Sequence, residues 1–123
     1  MELYICKHCG NVITYVENSK VPVMCCGSKM EKVEPNTVDA AKEKHLPVFT
    51  VENNIVKVSV GSVEHPMVEE HFIKWIILET DKGVQIKYLA PNNKPYAEFA
   101  ILSDEKVISV TEYCNLHGIW QTK

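Results

Sequence analysis

The chain has 123 residues, of which 46% are hydrophobic and 24% charged, a balance typical of a globular protein with one domain, or with a small and a medium one. Its formal charge is -3, and all thirteen basic residues are lysines. Because arginine supplies the two-point contacts that grip phosphate and guanine, its absence argues against nucleic-acid binding. No apolar run reaches the ~20 residues of a membrane helix, and the first residues do not resemble a signal peptide. We therefore expect a cytoplasmic protein with no membrane partner.

The first 36 residues contain four of the five cysteines and only two short β-prone segments, Leu3–Ile5 and Val12–Val16. A segment of about 36 residues buries too little apolar surface to fold unaided, and a bound metal commonly supplies the missing stability. Cytoplasmic cysteines are normally reduced, which favours metal ligation over disulfides. We therefore predict a metal-bound first domain over residues 1–36.

The cysteine spacing predicts a single four-sulfur site. Two residues separate Cys6 from Cys9, which lets both sulfur atoms turn toward one ion. Cys25 and Cys26 are neighbours, so both can reach that ion only if the chain bends sharply, and the following Gly27 permits such a bend. Four thiolates suit either zinc or iron, so a purely structural zinc site is an open alternative.

After the cysteine-rich segment, residues 36–42 form a polar linker in which Asn36 or Thr37 could cap a helical turn. Beyond this linker, apolar and polar residues alternate in short segments separated by turn-forming clusters. The predicted strands are Pro47–Val51, Val56–Val60, Phe72–Thr80, Val84–Tyr88, Ala97–Leu102 and Val107–Tyr113. Such strands without a long helix predict an all-β protein whose second domain, residues 37–123, is an immunoglobulin-like antiparallel sandwich.

The predicted second domain carries five further potential metal ligands: His45, His65, His71, Cys114 and His117. All lie in loops or at strand ends, which can cluster at one pole of a sandwich. Taken singly, His45 and His71 could be ordinary surface residues, whereas the Cys-x-x-His pair is more specific. Four imidazoles and one thiolate suit redox-active iron and leave one octahedral position vacant.

Taken together, these motifs resemble the desulfoferrodoxin family of two-iron superoxide reductases. The Cys-x-x-Cys pair of Cys6 and Cys9, followed by Cys25-Cys26-Gly27, resembles a desulforedoxin-type centre. The segments Glu43–Pro47, His65–His71 and Cys114–Gly118 resemble the family's catalytic signatures. The resemblance extends over essentially the whole chain.

The resemblance implies two irons per chain, one held by the four cysteines, where zinc is the alternative, and one held by four histidines and the Cys114 thiolate. It implies one-electron reduction of superoxide to hydrogen peroxide without release of dioxygen. Lys44 is expected to attract the anion and help deliver a proton, and Glu43 to occupy the sixth position when the iron is ferric. A small electron donor such as rubredoxin is also expected, and so is a homodimer, in which a second copy would cover exposed strand edges.

Two non-catalytic functions are alternatives. In an iron electron-transfer protein the cysteine site alone would suffice, and the histidine site would be superfluous. In a zinc-stabilised module that binds another protein, neither a vacant ligand position nor Lys44 beside His45 would be needed.

Overall fold

The computed structural model describes residues 1–123 and divides them into two compact units, Met1–Glu34 (unit 1) and Pro35–Lys123 (unit 2). The sequence places this boundary after residue 36, two residues later. Asn36 falls in unit 2 because it is hydrogen-bonded to the last strand: its backbone N–H donates to Ile119 O (3.1 Å) and its Nδ2 to Gln121 O (3.0 Å).

Unit 1 consists of short strands and turns. Its strands are β1 (Tyr4–Ile5), β2 (Val12–Ile13), β3 (Met24–Cys25), β4 (Ser28–Lys29) and β5 (Glu31–Lys32). β1 pairs antiparallel with β2 and with β5, while β3 and β4 form a separate hairpin. Only Cys6 and Met30 are buried hydrophobic residues in this unit. So small a core supports the prediction that unit 1 needs a metal to be stable.

Unit 2 has one short helix and seven strands. They are α1 (Lys42–His45), β6 (Pro47–Glu52), β7 (Ile55–Val60), β8 (Ile73–Thr80), β9 (Gly83–Tyr88), β10 (Tyr96–Ala100), β11 (Val107–Cys114) and β12 (Gly118–Thr122). Each of the six strands predicted in this unit agrees with an observed one to within two residues at either end, whereas the β-prone segment Val12–Val16 of unit 1 is a strand only over Val12–Ile13. The helix begins at Lys42 rather than next to Asn36, and no side chain caps it.

Two antiparallel sheets form the body of unit 2, with strand orders β10-β7-β6 and β12-β11-β8-β9. Alternate residues of β7 point inward, so Val56, Val58 and Val60 are at most 1% exposed. They belong to one apolar cluster with residues of the other sheet, such as Ile76 and Leu78. The predicted all-β, antiparallel fold class is confirmed. No helix is long and apolar enough to cross a membrane.

We expect a fragment of residues 35–123 to fold without unit 1, because the whole apolar cluster lies between Val56 and Cys114. Thermal unfolding followed by circular dichroism should show a single cooperative transition. A fragment that starts at residue 37 serves as the comparison and should melt at a lower temperature, because it lacks the hydrogen bonds of Asn36. A fragment of residues 35–123 without a cooperative transition would mean that unit 1 is required for the core.

Candidate metal centres

The four cysteines of unit 1 form one cluster. Their sulfur atoms lie within 4.8 Å of one another: Cys6, Cys9, Cys25 and Cys26. Cys9 Sγ and Cys25 Sγ are 3.6 Å apart. A tight turn brings the first pair together, because Gly10 N–H donates to Cys6 O (2.8 Å) and Gly10 has φ +84°.

The sharp bend expected at the second pair is present. Cys26 and Gly27 are the two loop residues between β3 and β4, and both have positive φ, 50° and 77°. Positive φ at both central positions is characteristic of a tight type I′ hairpin turn. This turn is what directs two adjacent cysteine side chains toward one point.

The pKa values of these thiols also indicate a site for a cation. The backbone N–H of Cys9 donates to Cys6 Sγ (3.5 Å), which lowers the pKa of Cys6 to about 6. In contrast, interaction with the sulfur atoms of Cys9 and Cys6 raises the pKa of Cys26 to about 12. One sulfur thus ionises readily while a neighbour resists, and a bound cation would allow all four to be thiolates.

Unit 2 gathers a second cluster of donor atoms from separate elements. Ligand atoms of four residues lie within 4.8 Å of one another: His45, His65, His71 and Cys114. His117 adjoins them, with its Nδ1 3.1 Å from His45 Nε2 and 3.8 Å from Cys114 Sγ. His45 ends α1, His65 lies in the β7–β8 loop and His71 precedes β8, whereas Cys114 ends β11 and His117 precedes β12. All five residues predicted from the sequence are therefore neighbours in space.

The hydrogen bonds of two histidines fix which nitrogen carries the proton. His45 Nδ1 lies 2.8 Å from Ala41 O and His65 Nδ1 lies 2.7 Å from Pro66 O, so each Nδ1 donates to a carbonyl. When neutral, each ring then has a lone pair at Nε2, and these two Nε2 atoms are 3.2 Å apart. The buried Nε2 of His71 has no hydrogen-bond partner. Lone pairs that face one another without a proton between them fit a bound metal cation.

Burial keeps the imidazoles in the form that a metal requires. It lowers the pKa of His65 to about 4 and lowers the pKa of His45 and of His71 as well. These rings are therefore neutral near pH 7 and can offer lone pairs. Burial raises the pKa of Cys114, so the nearby positive charge of a metal would be needed to keep its sulfur ionised.

Glu43 and Lys44, the predicted catalytic residues, are both exposed on α1 next to His45. After burial and the charges of His117 and His45, the positive charge of Lys44 further lowers the pKa of His71. Lys44 also contributes to the lowered pKa of His45. The Lys44 charge therefore acts electrostatically on two of the clustered histidines.

Two supporting residues were not identified from the sequence. Trp120 stacks on His45, with ring centroids 5.1 Å apart, and its Nε1 donates to His117 O (3.0 Å). Gly61 packs against the backbone of α1 so closely that a Cβ there would lie 2.6 Å from Glu43 O. The stacking of Trp120 on His45 and the packing of Gly61 against α1 join residues distant in sequence, so no local pattern could have indicated them.

A buried carboxyl group lies beside the second cluster and was also missed. Glu112 is on β11, two residues before Cys114, and is 0% exposed. Neither of its carboxyl oxygens has a hydrogen-bond partner, and burial raises its pKa to about 9. The group is therefore uncharged at pH 7.

Comparisons with known proteins agree with this geometry. Residues 37–123 match the family model described as Desulfoferrodoxin. The chain is 45% identical over 122 residues to a desulfoferrodoxin homolog of Archaeoglobus fulgidus, covering 99% of this chain and 96% of that one.

Two solved structures are similar as well. The superoxide reductase from Treponema pallidum superposes with a TM-score of 0.81 at 41% identity, covering 98% of both chains. A one-iron superoxide reductase from Giardia intestinalis gives a TM-score of 0.56 at 34% identity, covering 66% of this chain and 96% of that one. On the family match and the identity to its relatives, the chain belongs to the desulfoferrodoxin family.

Proposed function

We propose that this chain is a superoxide reductase, which reduces superoxide by one electron to hydrogen peroxide without releasing dioxygen. The observation that carries the proposal is the cluster in unit 2, where four ligand atoms lie within 4.8 Å and one buried imidazole nitrogen has no partner. The similarity to superoxide reductases of known structure supports it. A purely electron-transferring or zinc-stabilised protein would have no use for this second cluster.

The residues that would hold the catalytic iron are His45, His65, His71, His117 and Cys114. Bound ferrous iron would supply the electron that superoxide takes up, and the four thiolates of unit 1 would hold a second iron or a zinc ion. The carbonyls of Ala41 and Pro66 hold two rings with Nε2 free. Burial of His45, His65 and Cys114 to 3% exposure or less keeps water away from these donors.

The exposed residues of α1 would serve the substrate. Superoxide is an anion and the chain has a net charge of -3, so a local positive charge is needed to attract it. The Lys44 ammonium provides that charge. It can also donate a proton from Nζ, through water, and so supply one of the two protons that hydrogen peroxide formation requires. Glu43 lies on the same turn. Its carboxylate would occupy the sixth position of the iron in the ferric state.

The wider assignments follow from this function. We propose a cytoplasmic homodimer that receives electrons from a small donor such as rubredoxin. The many exposed apolar residues of the short-stranded unit 1, among them Val16, Val21 and Met24, support a partner copy that covers them.

The stoichiometry of the reaction tests the proposal directly. The iron-loaded, reduced protein should convert each superoxide into one hydrogen peroxide and release no dioxygen while a reductant is supplied. A peroxide assay and an oxygen electrode would measure both products during a controlled flux of superoxide. Release of one dioxygen for every two superoxide ions would identify a dismutase instead. Superoxide that decays no faster with the protein than without it would favour the non-catalytic alternatives.

Cys114→Ser should abolish the activity of the catalytic centre, whereas Cys26→Ser should not. An alcohol cannot replace the electron donation of a thiolate, so we expect the rate to fall by about 100-fold or more in the first variant. Cys26 belongs to the other cluster and serves as the control. Pulse-generated superoxide with optical detection would give both rate constants. Equal rate constants for the two variants would show that Cys114 is not part of the catalytic site.

Lys44→Ala should slow the second-order reaction with superoxide by about tenfold, which corresponds to ~1.4 kcal/mol. Iron content and the resting spectrum should not change, because no ligand is removed. The rate of the parent protein should fall with rising salt and that of the variant should fall less, since charges in solvent are screened over about 8–10 Å.

Lys42→Ala is the matched control, because Lys42 is an exposed lysine on the same helix. Its rate and salt dependence should equal those of the parent. Equal rates in the parent and Lys44→Ala would show that Lys44 is an ordinary surface residue.

A further inference from the structure

Asn115 ties together the two chain segments that carry His71 and Cys114. Its Oδ1 accepts from the backbone N–H of Phe72 (2.9 Å) and its Nδ2 donates to Glu70 O (3.0 Å). Its own backbone N–H donates to Phe72 O (3.2 Å). One side chain therefore binds the residues immediately before and after His71, although Asn115 and Phe72 are 43 positions apart.

The regular sheet does not hold His71 in place. The ladder between β8 and β11 ends with the pair Cys114 and Ile73, after an irregularity between Tyr113 and Cys114. His71 lies beyond this pair, and its only backbone bridge is to Val68 in the same loop. Beyond the last pair of the ladder, the hydrogen bonds of Asn115 therefore connect the segment around His71 to the end of β11.

His71 also lacks the Nδ1 hydrogen bond to a carbonyl that orients the rings of two of its neighbours. The rings of His45 and His65 are fixed by Nδ1 hydrogen bonds to carbonyls. The buried Nε2 of His71 has no hydrogen-bond partner. The direction of this lone pair therefore depends on the position of the His71 backbone.

We propose that Asn115 is a positioning residue, whose side chain sets the place of the His71 ligand relative to Cys114. This inference rests on the proposed metal centre in unit 2. An amide is required because it accepts from one backbone group and donates to the other at the same time. A carboxylate could accept from Phe72 N–H but would face the carbonyl oxygen of Glu70 without a proton between them.

Asn115→Asp is the test variant, and Asn36→Asp is a matched control. Asn36 also makes two side-chain hydrogen bonds to backbone, donating from Nδ2 to Gln121 O (3.0 Å) and accepting at Oδ1 from Gln121 N–H (2.8 Å). The control therefore breaks the same type of contact next to a residue that is no proposed ligand. Asn115→Ala removes both hydrogen bonds without adding charge, and is used if the aspartate variant does not fold.

The full-length protein is first given one equivalent of Zn²⁺, which the four thiolates of unit 1 take up preferentially, and is then titrated with Co²⁺. Visible absorption of the bound Co²⁺ reports both affinity and ligand geometry. We expect Asn115→Asp to bind Co²⁺ about 10–100-fold more weakly, with shifted absorption bands, as is usual for loss of a group that orients a ligand. Asn36→Asp should lower the unfolding midpoint but leave the affinity and the spectrum unchanged.

The outcomes separate the inference from the function on which it rests. A parent protein that binds no Co²⁺ after the Zn²⁺ would overturn the metal centre, and the inference with it. A parent that binds Co²⁺, together with Asn115 variants of equal affinity and spectrum, would overturn the inference alone. Equal losses in Asn115→Asp and Asn36→Asp would also overturn it, because the effect would then be general destabilisation.

Discussion

The arrangement of unit 2 depends on imidazole nitrogens whose lone pairs face one another. Two imidazole nitrogens, each left with a lone pair by a hydrogen bond on the other side of its ring, lie 3.2 Å apart in a buried place. Without a shared cation, such atoms repel one another and have also lost their contacts with water. The pole of the sandwich is therefore built around a positive charge, and the loops that meet there are arranged to supply ligands.

The two candidate centres reach similar compactness by different routes. The cysteine cluster is local, because two tight turns, one after Cys9 and one at Cys26 and Gly27, direct sulfur atoms that lie close in sequence. The histidine cluster is assembled from four parts of the fold, namely α1, the β7–β8 loop, β11 and the β11–β12 loop, and His45 and His117 are 72 positions apart. Metal binding and folding should thus be tightly coupled in unit 1, whereas in unit 2 the sandwich itself brings most ligands together.

Much of this could be predicted from the sequence, because it depends on local patterns. Alternation in β7 is a period-two signal, and the Cys-x-x-Cys and Cys-x-x-His spacings indicate metal ligands. Asn36 has the residue type of a helix cap, but its side chain is hydrogen-bonded to Gln121 and the helix begins at Lys42. The contacts of Trp120 with His45 and of Asn115 with the loop around His71 are long-range, so only the folded chain reveals them.

The hydrogen bonds of Asn36 have a consequence for how such proteins are put together. This residue, near the start of unit 2, lies along the last strand and binds Ile119 and Gln121. The sandwich of unit 2 is thus held at its own first residues, and its buried core cluster contains no residue before Pro35. A domain built in this way can gain or lose an amino-terminal extension during evolution without a change at the pole that carries the histidine cluster. The superoxide reductase from Giardia intestinalis, 96% of which is matched by 66% of this chain, is a relative of such smaller size.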